Sequence, residues 1–117
     1  MTYTDAISAS ITALADPTRR ALIDRLRGGP LPVCALACDI GVSRPAVSQH
    51  LRVLSDAGLL VVTPQGNRRL YAIAPDGIGQ LRLYLDTLWD DALAAFVAAA
   101  KEQALIDQAN REKDRRK

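Results

Sequence analysis

The chain has 117 residues, 15 lysines and arginines against 13 aspartates and glutamates for a formal charge of +2, and 49% hydrophobic residues. That is one domain's worth of chain, able to bury about two thirds of its unfolded surface without a disulfide framework or structural metal. No uncharged apolar run approaches the ~18 residues of a membrane span, the start lacks the basic and apolar regions of a signal peptide, and the two cysteines are too few for a secreted scaffold, so a soluble cytoplasmic protein is expected.

From Asp5 to Leu14, Ile7, Ile11 and Leu14 recur at i, i+4, i+7, which predicts a short amphipathic helix. Asp16-Pro17 reads as an N-cap and first-turn proline opening a second helix, with Ala21, Leu22, Ile23 and Leu26 inward and Arg19, Arg20, Asp24 and Arg25 mostly outward. Gly28-Gly29-Pro30 ends it. A third helix is expected from about Pro32 to Ile40 on the stripe Val33, Leu36, Ala37, Ile40, followed by the tight turn Gly41-Val42-Ser43. Ser43 is placed to cap a fourth helix that tolerates Pro45 in its first turn and carries Val47, Leu51, Leu54 and Ala57 inward, closed by Gly58.

After Gly58 the period changes. Leu59 to Thr63 and Arg69 to Ala74 read as strands flanking a polar, basic tip from Pro64 to Arg68, a β-hairpin. From about Gly77 to Ala104, Leu81, Leu85, Leu88, Ala92, Phe96 and Ala100 keep helical spacing. Such a helix is about 42 Å long, more than so small a domain covers, so part of it is expected to meet another subunit. The tail from Asp107 onward is mixed in charge and poor in apolar residues, which predicts fraying. The expected architecture is mainly α with a small hairpin, in the order α-α-α-α-β-β-α, with one folded domain over residues 1–105 and a charged, disordered tail over 106–117.

Two short helices joined by a glycine-containing turn, the second capped and basic, and a hairpin directly after them match a winged helix-turn-helix. Charge agrees: Ser43 to Ala72 holds four arginines against one acid, whereas Asp76 to Glu102 holds five acids against Arg82 and Lys101. One region is basic and the next acidic, as expected where one face meets nucleic acid. On the fourth helix the stripe leaves Arg44, Ser48, Gln49 and Arg52 outside. Arginine can donate twice to a guanine edge, glutamine can pair with adenine, serine reaches phosphate or base, and Ala46 can pack on a thymine methyl. His50, the only histidine, lies between the exposed and buried faces, suited to a phosphate contact or to local packing. Arg68 and Arg69, with Gln65 and Asn67, read as wing contacts to phosphate or a narrow minor groove. A solvated helix face and a charged hairpin tip are the plain alternatives.

Cys34 and Cys38 stand one helical turn apart. Cβ atoms at i, i+4 are about 5 to 6 Å apart, whereas a disulfide wants roughly 3.5 to 4.5 Å, so an intrahelical disulfide is strained. The favoured reading makes both small buried apolar side chains. The alternative is a thiol or metalloid sensor, and no further Cys or His stands nearby to complete a metal site, so no metal and no cofactor are expected. Tyr84, Trp89 and Phe96 are read as core or dimer interface rather than an effector cavity.

Leu14-Ala15-Asp16-Pro17-Thr18-Arg19-Arg20, then Ser43 through Leu54 with Ala57-Gly58-Leu59, then Gly66-Asn67-Arg68-Arg69-Leu70-Tyr71, resemble the ArsR/SmtB family of bacterial repressors over about residues 6 to 100. The resemblance implies a homodimer that pairs its first and last helices, binds a palindromic operator and releases it to an inducer. By position, Ser43, Arg44, Pro45, Ala46, Ser48, Gln49 and His50 look like the family's recognition surface, and Arg68 and Arg69 like its wing. The sensing sites depart. Where metalloid-responsive members carry a Cys-Val-Cys segment, this chain has Pro32-Val33-Cys34, with Cys38 as an extra thiol, and its last helix has no histidine beside Asp86, Asp90 and Asp91. The inducer is therefore left open. Two other classes compete: a thiol enzyme on Cys34 and Cys38, which lacks a Cys-x-x-Cys and a nearby base, and a helical dimer adaptor that touches no DNA. No enzymatic activity is expected.

Overall fold

The computed structural model describes residues 2–115. In chain order the elements are α1 (Tyr3–Leu14), α2 (Pro17–Leu26), β1 (Leu31–Pro32), α3 (Val33–Ile40), α4 (Arg44–Asp56), β2 (Leu60–Gln65), β3 (Arg68–Ile73) and α5 (Pro75–Arg115). Contacts divide the chain into a unit up to Arg82 and a second from Leu83 onward.

In the first unit the helices close over a core of Ala13, Leu22, Leu26, Leu36, Val47, Leu51, Leu54, Leu59 and Leu60. α1, α2 and α4 start where the sequence supplies a side-chain acceptor for orphan amides, whereas α3 follows Pro32 with no side-chain cap. Thr2 and Asp5 form a capping box that begins α1 at Tyr3, two residues before the expected start. The Asp16 carboxylate accepts from the Thr18 and Arg19 amides at 2.8 and 3.1 Å to open α2. The buried face of α1 is Ile7, Ser10 and Ala13, not the expected Ile7, Ile11, Leu14; Ile11 is exposed and Leu14 only partly covered. Ser10 can go inside because its hydroxyl proton is shared between Ala6 O at 3.1 Å and Ala57 O at 3.3 Å, which ties α1 to the end of α4.

The sheet has three strands in the order β1-β3-β2, all antiparallel. Sequence patterning missed β1, whose Leu31 and Pro32 pair with Tyr71 and Leu70. Two residues carry too little alternation to read as a strand. The hairpin is also tighter than expected: Pro64 pairs with Arg69 and Gln65 with Arg68, so the turn is Gly66-Asn67 alone. Gly66 has φ 61°, the left-handed value that a two-residue hairpin turn takes at its first central position.

The second unit is the remainder of α5. The helix runs on to Arg115 rather than ending near Ala104. Between those residues every side chain except Ile106, Asn110 and the two aspartates is a good helix former, there is no Gly or Pro, and Gln103 donates to Asp107 at 3.0 Å one turn on. The expected disordered tail is thus helical as far as it is described, and residues 116–117 lie outside the described residues. Leu85, Leu88, Trp89, Leu93, Phe96, Val97, Leu105 and Ile106 are all exposed. No helix among the described residues is long and apolar enough to cross a membrane.

Candidate nucleic-acid interface

The second helix of the helix-turn-helix is set by three local features. Gly41 ends α3 in the left-handed conformation, the Ser43 hydroxyl caps α4 by accepting from the Ala46 amide at 3.3 Å, and Pro45 sits in the first turn. Val47, Leu51 and Leu54 are buried to the last ångström, which fixes the rotation of α4. The opposite face then follows from periodicity. Ser43, Arg44, Pro45, Ser48, Gln49 and Arg52 are exposed, and Ala46 and His50 are half-buried.

The hairpin stands beside this face. Arg44, Ser48 and Arg52 from α4 and Asn67, Arg68, Arg69 and Tyr71 from the hairpin line one cleft of about 680 Å³. The structure therefore brings together, from two elements, half of the DNA-contacting residues that sequence singled out: Arg44, Ser48, Arg52, Arg68 and Arg69. Gln49 and His50 do not line the cleft, nor do Ser43, Pro45 and Ala46. Arg52 lies 3.9 Å from Asp56, an exposed pair that holds it loosely. Among the described residues no carboxylate engages Arg44, Arg68 or Arg69, so three cations on one cleft face solvent without a counter-charge of their own. Ser55, whose hydroxyl is buried without a hydrogen-bond partner, also lines this cleft and was missed by sequence reasoning. Its position on α4, three residues after Arg52 and four after Leu51, offered a signal only once the hairpin was placed.

Both cysteines are free and exposed, which overturns their expected burial. The stripe that α3 turns inward is centred on Leu36, with Val33, Ala37 and Ile40 packed beside it, and this leaves Cys34 and Cys38 on the other side. Cys34 lines the cleft with the arginines, and Cys38 does not. No group of three or more His, Cys, Asp or Glu side chains is arranged to hold a metal ion among the described residues.

Behind α4, a polar cluster joins three helices. The Arg19 side chain donates from Nε to Ala13 O at 2.7 Å and from Nη2 to Thr12 O at 3.3 Å, and its Nη1 lies 3.5 Å from His50 Nδ1. The Arg19 and Thr18 amides and the nearby Arg19 and His50 charges hold the Asp16 carboxyl below the usual aspartate range, against the opposing effect of desolvation. Arg25 and Asp39 form a further ion pair between α2 and α3.

Comparison with known proteins agrees with this geometry. The family described as bacterial regulatory protein, arsR family, matches residues 16–61, from the α2 cap into β2. The HTH-type transcriptional regulator Rv2034 of Mycobacterium tuberculosis is 54% identical over 72% of this chain and 78% of its own length. A crystal structure of a possible transcriptional regulator for arsenical resistance is 43% identical over 76% of this chain and 93% of that one, with a TM-score of 0.64. A solution structure from Mycobacterium bovis, described as a homodimeric winged helix-turn-helix DNA-binding domain of a possible ArsR-family regulator, is 27% identical over 75% of this chain and 82% of its own, with a TM-score of 0.62. With the relative from M. tuberculosis aligned over most of its length and the winged helix-turn-helix in place, the chain belongs to the ArsR family of bacterial transcriptional regulators.

Proposed function

We propose that the protein is a homodimeric repressor that places α4 of each subunit in successive major grooves of an inverted-repeat operator, about 34 Å apart. Arg44, Ser48, Gln49 and Arg52 meet the groove, Ser43, Pro45, Ala46 and His50 border it, and Arg68 and Arg69 hold the flanking backbone. The observation that carries this reading is the cleft between α4 and the hairpin, where Arg44, Arg68 and Arg69 have no carboxylate partner among the described residues. Phosphates would supply the missing negative charge. Dimerisation through α1 and α5 is supported by the exposed Tyr3 and Ile11 on α1 and the run of exposed apolar residues on α5.

The test is a fluorescence-anisotropy titration on DNA from the protein's own promoter region. Binding that resists competitor DNA and weakens steeply with salt is expected, and Arg44→Ala with Gln49→Ala should abolish it while sedimentation still reports a dimer. Binding of the double variant at full strength would sink the reading.

One observation favours a thiol-responsive version of the same function. Cys34 lines the DNA cleft, so any adduct on its sulfur occupies space that the backbone needs. Arsenite or a mild oxidant should then release DNA from the native protein but not from Cys34→Ser; equal release from both would assign the signal elsewhere.

A further inference from the structure

Arg19 lies on α2, away from the surface assigned to DNA, yet its side chain reaches the recognition helix. Two of its guanidinium nitrogens donate to the Thr12 and Ala13 carbonyls in the last turn of α1, where Thr12 O also accepts from the Ala15 amide at 3.2 Å. The third nitrogen faces His50 Nδ1 at 3.5 Å, the long end of hydrogen-bonding range. The Arg19 amide, in turn, is held by Asp16. The guanidinium is thus held by two carbonyls, and its backbone by the Asp16 cap, before it meets the imidazole.

A guanidinium has donors only and stays protonated. A ring nitrogen that accepts from it must present a lone pair, and in neutral imidazole the proton then sits on the other nitrogen. We propose that Arg19 is a positioning residue for DNA binding: by donating to Nδ1 it fixes the neutral His50 ring as the Nε2–H tautomer, so that Nε2–H is aimed as a donor at the DNA backbone with its orientation set by α1. His50 is half-buried at the margin of the exposed face of α4, and that placement suits a phosphate beside the groove rather than a base edge on its floor. This rests on the reading of α4 as the DNA-contacting helix. It adds a second tie between α1 and α4 to the one made by Ser10 and Ala57. The position of the helix proposed to pair with the second subunit is thereby passed to a DNA contact.

The chain has a single histidine, so a long-range ¹H–¹⁵N spectrum of the imidazole reads this site alone. Above the titration range of the ring, the native protein should show an unprotonated Nδ1 and a protonated Nε2, and Arg19→Gln should give a mixture of tautomers. An Nδ1–H ring in the native protein, or a spectrum that Arg19→Gln leaves unchanged, overturns the proposal. On promoter DNA, Arg19→Gln should weaken binding about five- to tenfold, the loss of one hydrogen bond of about 1 to 1.4 kcal/mol. His50→Asn keeps an acceptor near Nδ1 but loses the outer donor, and should lose as much. His50→Gln places an amide donor near Nε2 and should stay within about twofold of native. Adding Arg19→Gln to His50→Gln should then cost nothing further, whereas a merely structural role for Arg19 would cost the same in both backgrounds. Native protein that shows no specific DNA binding overturns the DNA role of His50 together with the repressor reading. Native binding with an unaffected Arg19→Gln overturns the positioning role alone.

Discussion

Asp16 accepts from two amides at the start of α2, and its carboxyl titrates below the ordinary aspartate range chiefly because of the Arg19 amide. In the unfolded chain the same group returns to its ordinary value. Its folded-state value is the lower of the two, so the stabilisation is complete above the ordinary aspartate range and drains away as pH falls through the folded value. In thermal melts over a pH series, Asp16→Asn should melt below the native protein near neutrality, and the gap should close in acid. A gap that is constant with pH would mean that the amide bonds, not the charge, carry the effect. The Asp16-Pro17 cap was legible in sequence because both partners are local. Arg19 was not, because Thr12, Ala13 and His50 approach it from two other helices, His50 from 31 positions away. Cys34 and Cys38 were misjudged for a different reason: the stripe Val33, Leu36, Ala37, Ile40 was read correctly, but the usual burial of free cysteine was preferred to their position off that stripe, beside the exposed Asp39.

Elements were recovered where a cap or a breaker coincided with a change of period. The ends of α2, α3 and α4 follow Gly28, Gly41 and Gly58, and the stripe of α4 is buried as its spacing predicts. Patterning failed where tertiary pairing makes the element. Leu31-Pro32 is a strand only because β3 runs alongside it, and α1 turned Ser10 inward because the Ala57 carbonyl was waiting there. The start of α5 has a tight constraint of its own. A Cβ on Gly77 would lie 1.8 Å from the Gly58 carbonyl oxygen, backbone against backbone, whereas one on Gly79 meets nothing within 4 Å. Gly77→Ala should therefore cost about 1 to 3 kcal/mol in urea melts, the typical cost of overpacking. Gly79→Ala should gain about 0.5 to 1 kcal/mol, the usual difference between the two residues inside a helix. Equal effects from both would show that the first turn of α5 does not rest on the turn after α4.

At the scale of the molecule the question is what covers the apolar residues and what neutralises the arginines. Trp89, the only tryptophan, is 66% exposed, and Phe96 is 70% exposed. If a second copy covers them, tryptophan emission should shift to the red on dilution through the dimer dissociation range, and Phe96→Asp should give the red-shifted monomer at all concentrations. At the other surface, Arg68→Ala with Arg69→Ala removes two cations from each subunit of the dimer, and should lower affinity for operator and random DNA alike and reduce the slope of log affinity against log salt by about 3 to 4. A drop confined to the operator would make the wing a reader of sequence. The function class was legible because its residues fall on one helix and one hairpin. Their convergence on a single cleft, with Cys34 in its wall, was not, since it depends on how the hairpin folds back beside α4. The sheet carries one further implication, for the company the protein keeps. Ala74 N–H donates to Leu59 O, so Val61, Thr63 and Gln65 bond to β3 while Leu60, Val62 and Pro64 direct their backbone groups outward; on β1 the same alternation turns Pro32 outward. At both rims of the sheet an outward position is held by a residue with no N–H to offer. A stray strand finds an interrupted ladder on either side, and self-association is left to the helices.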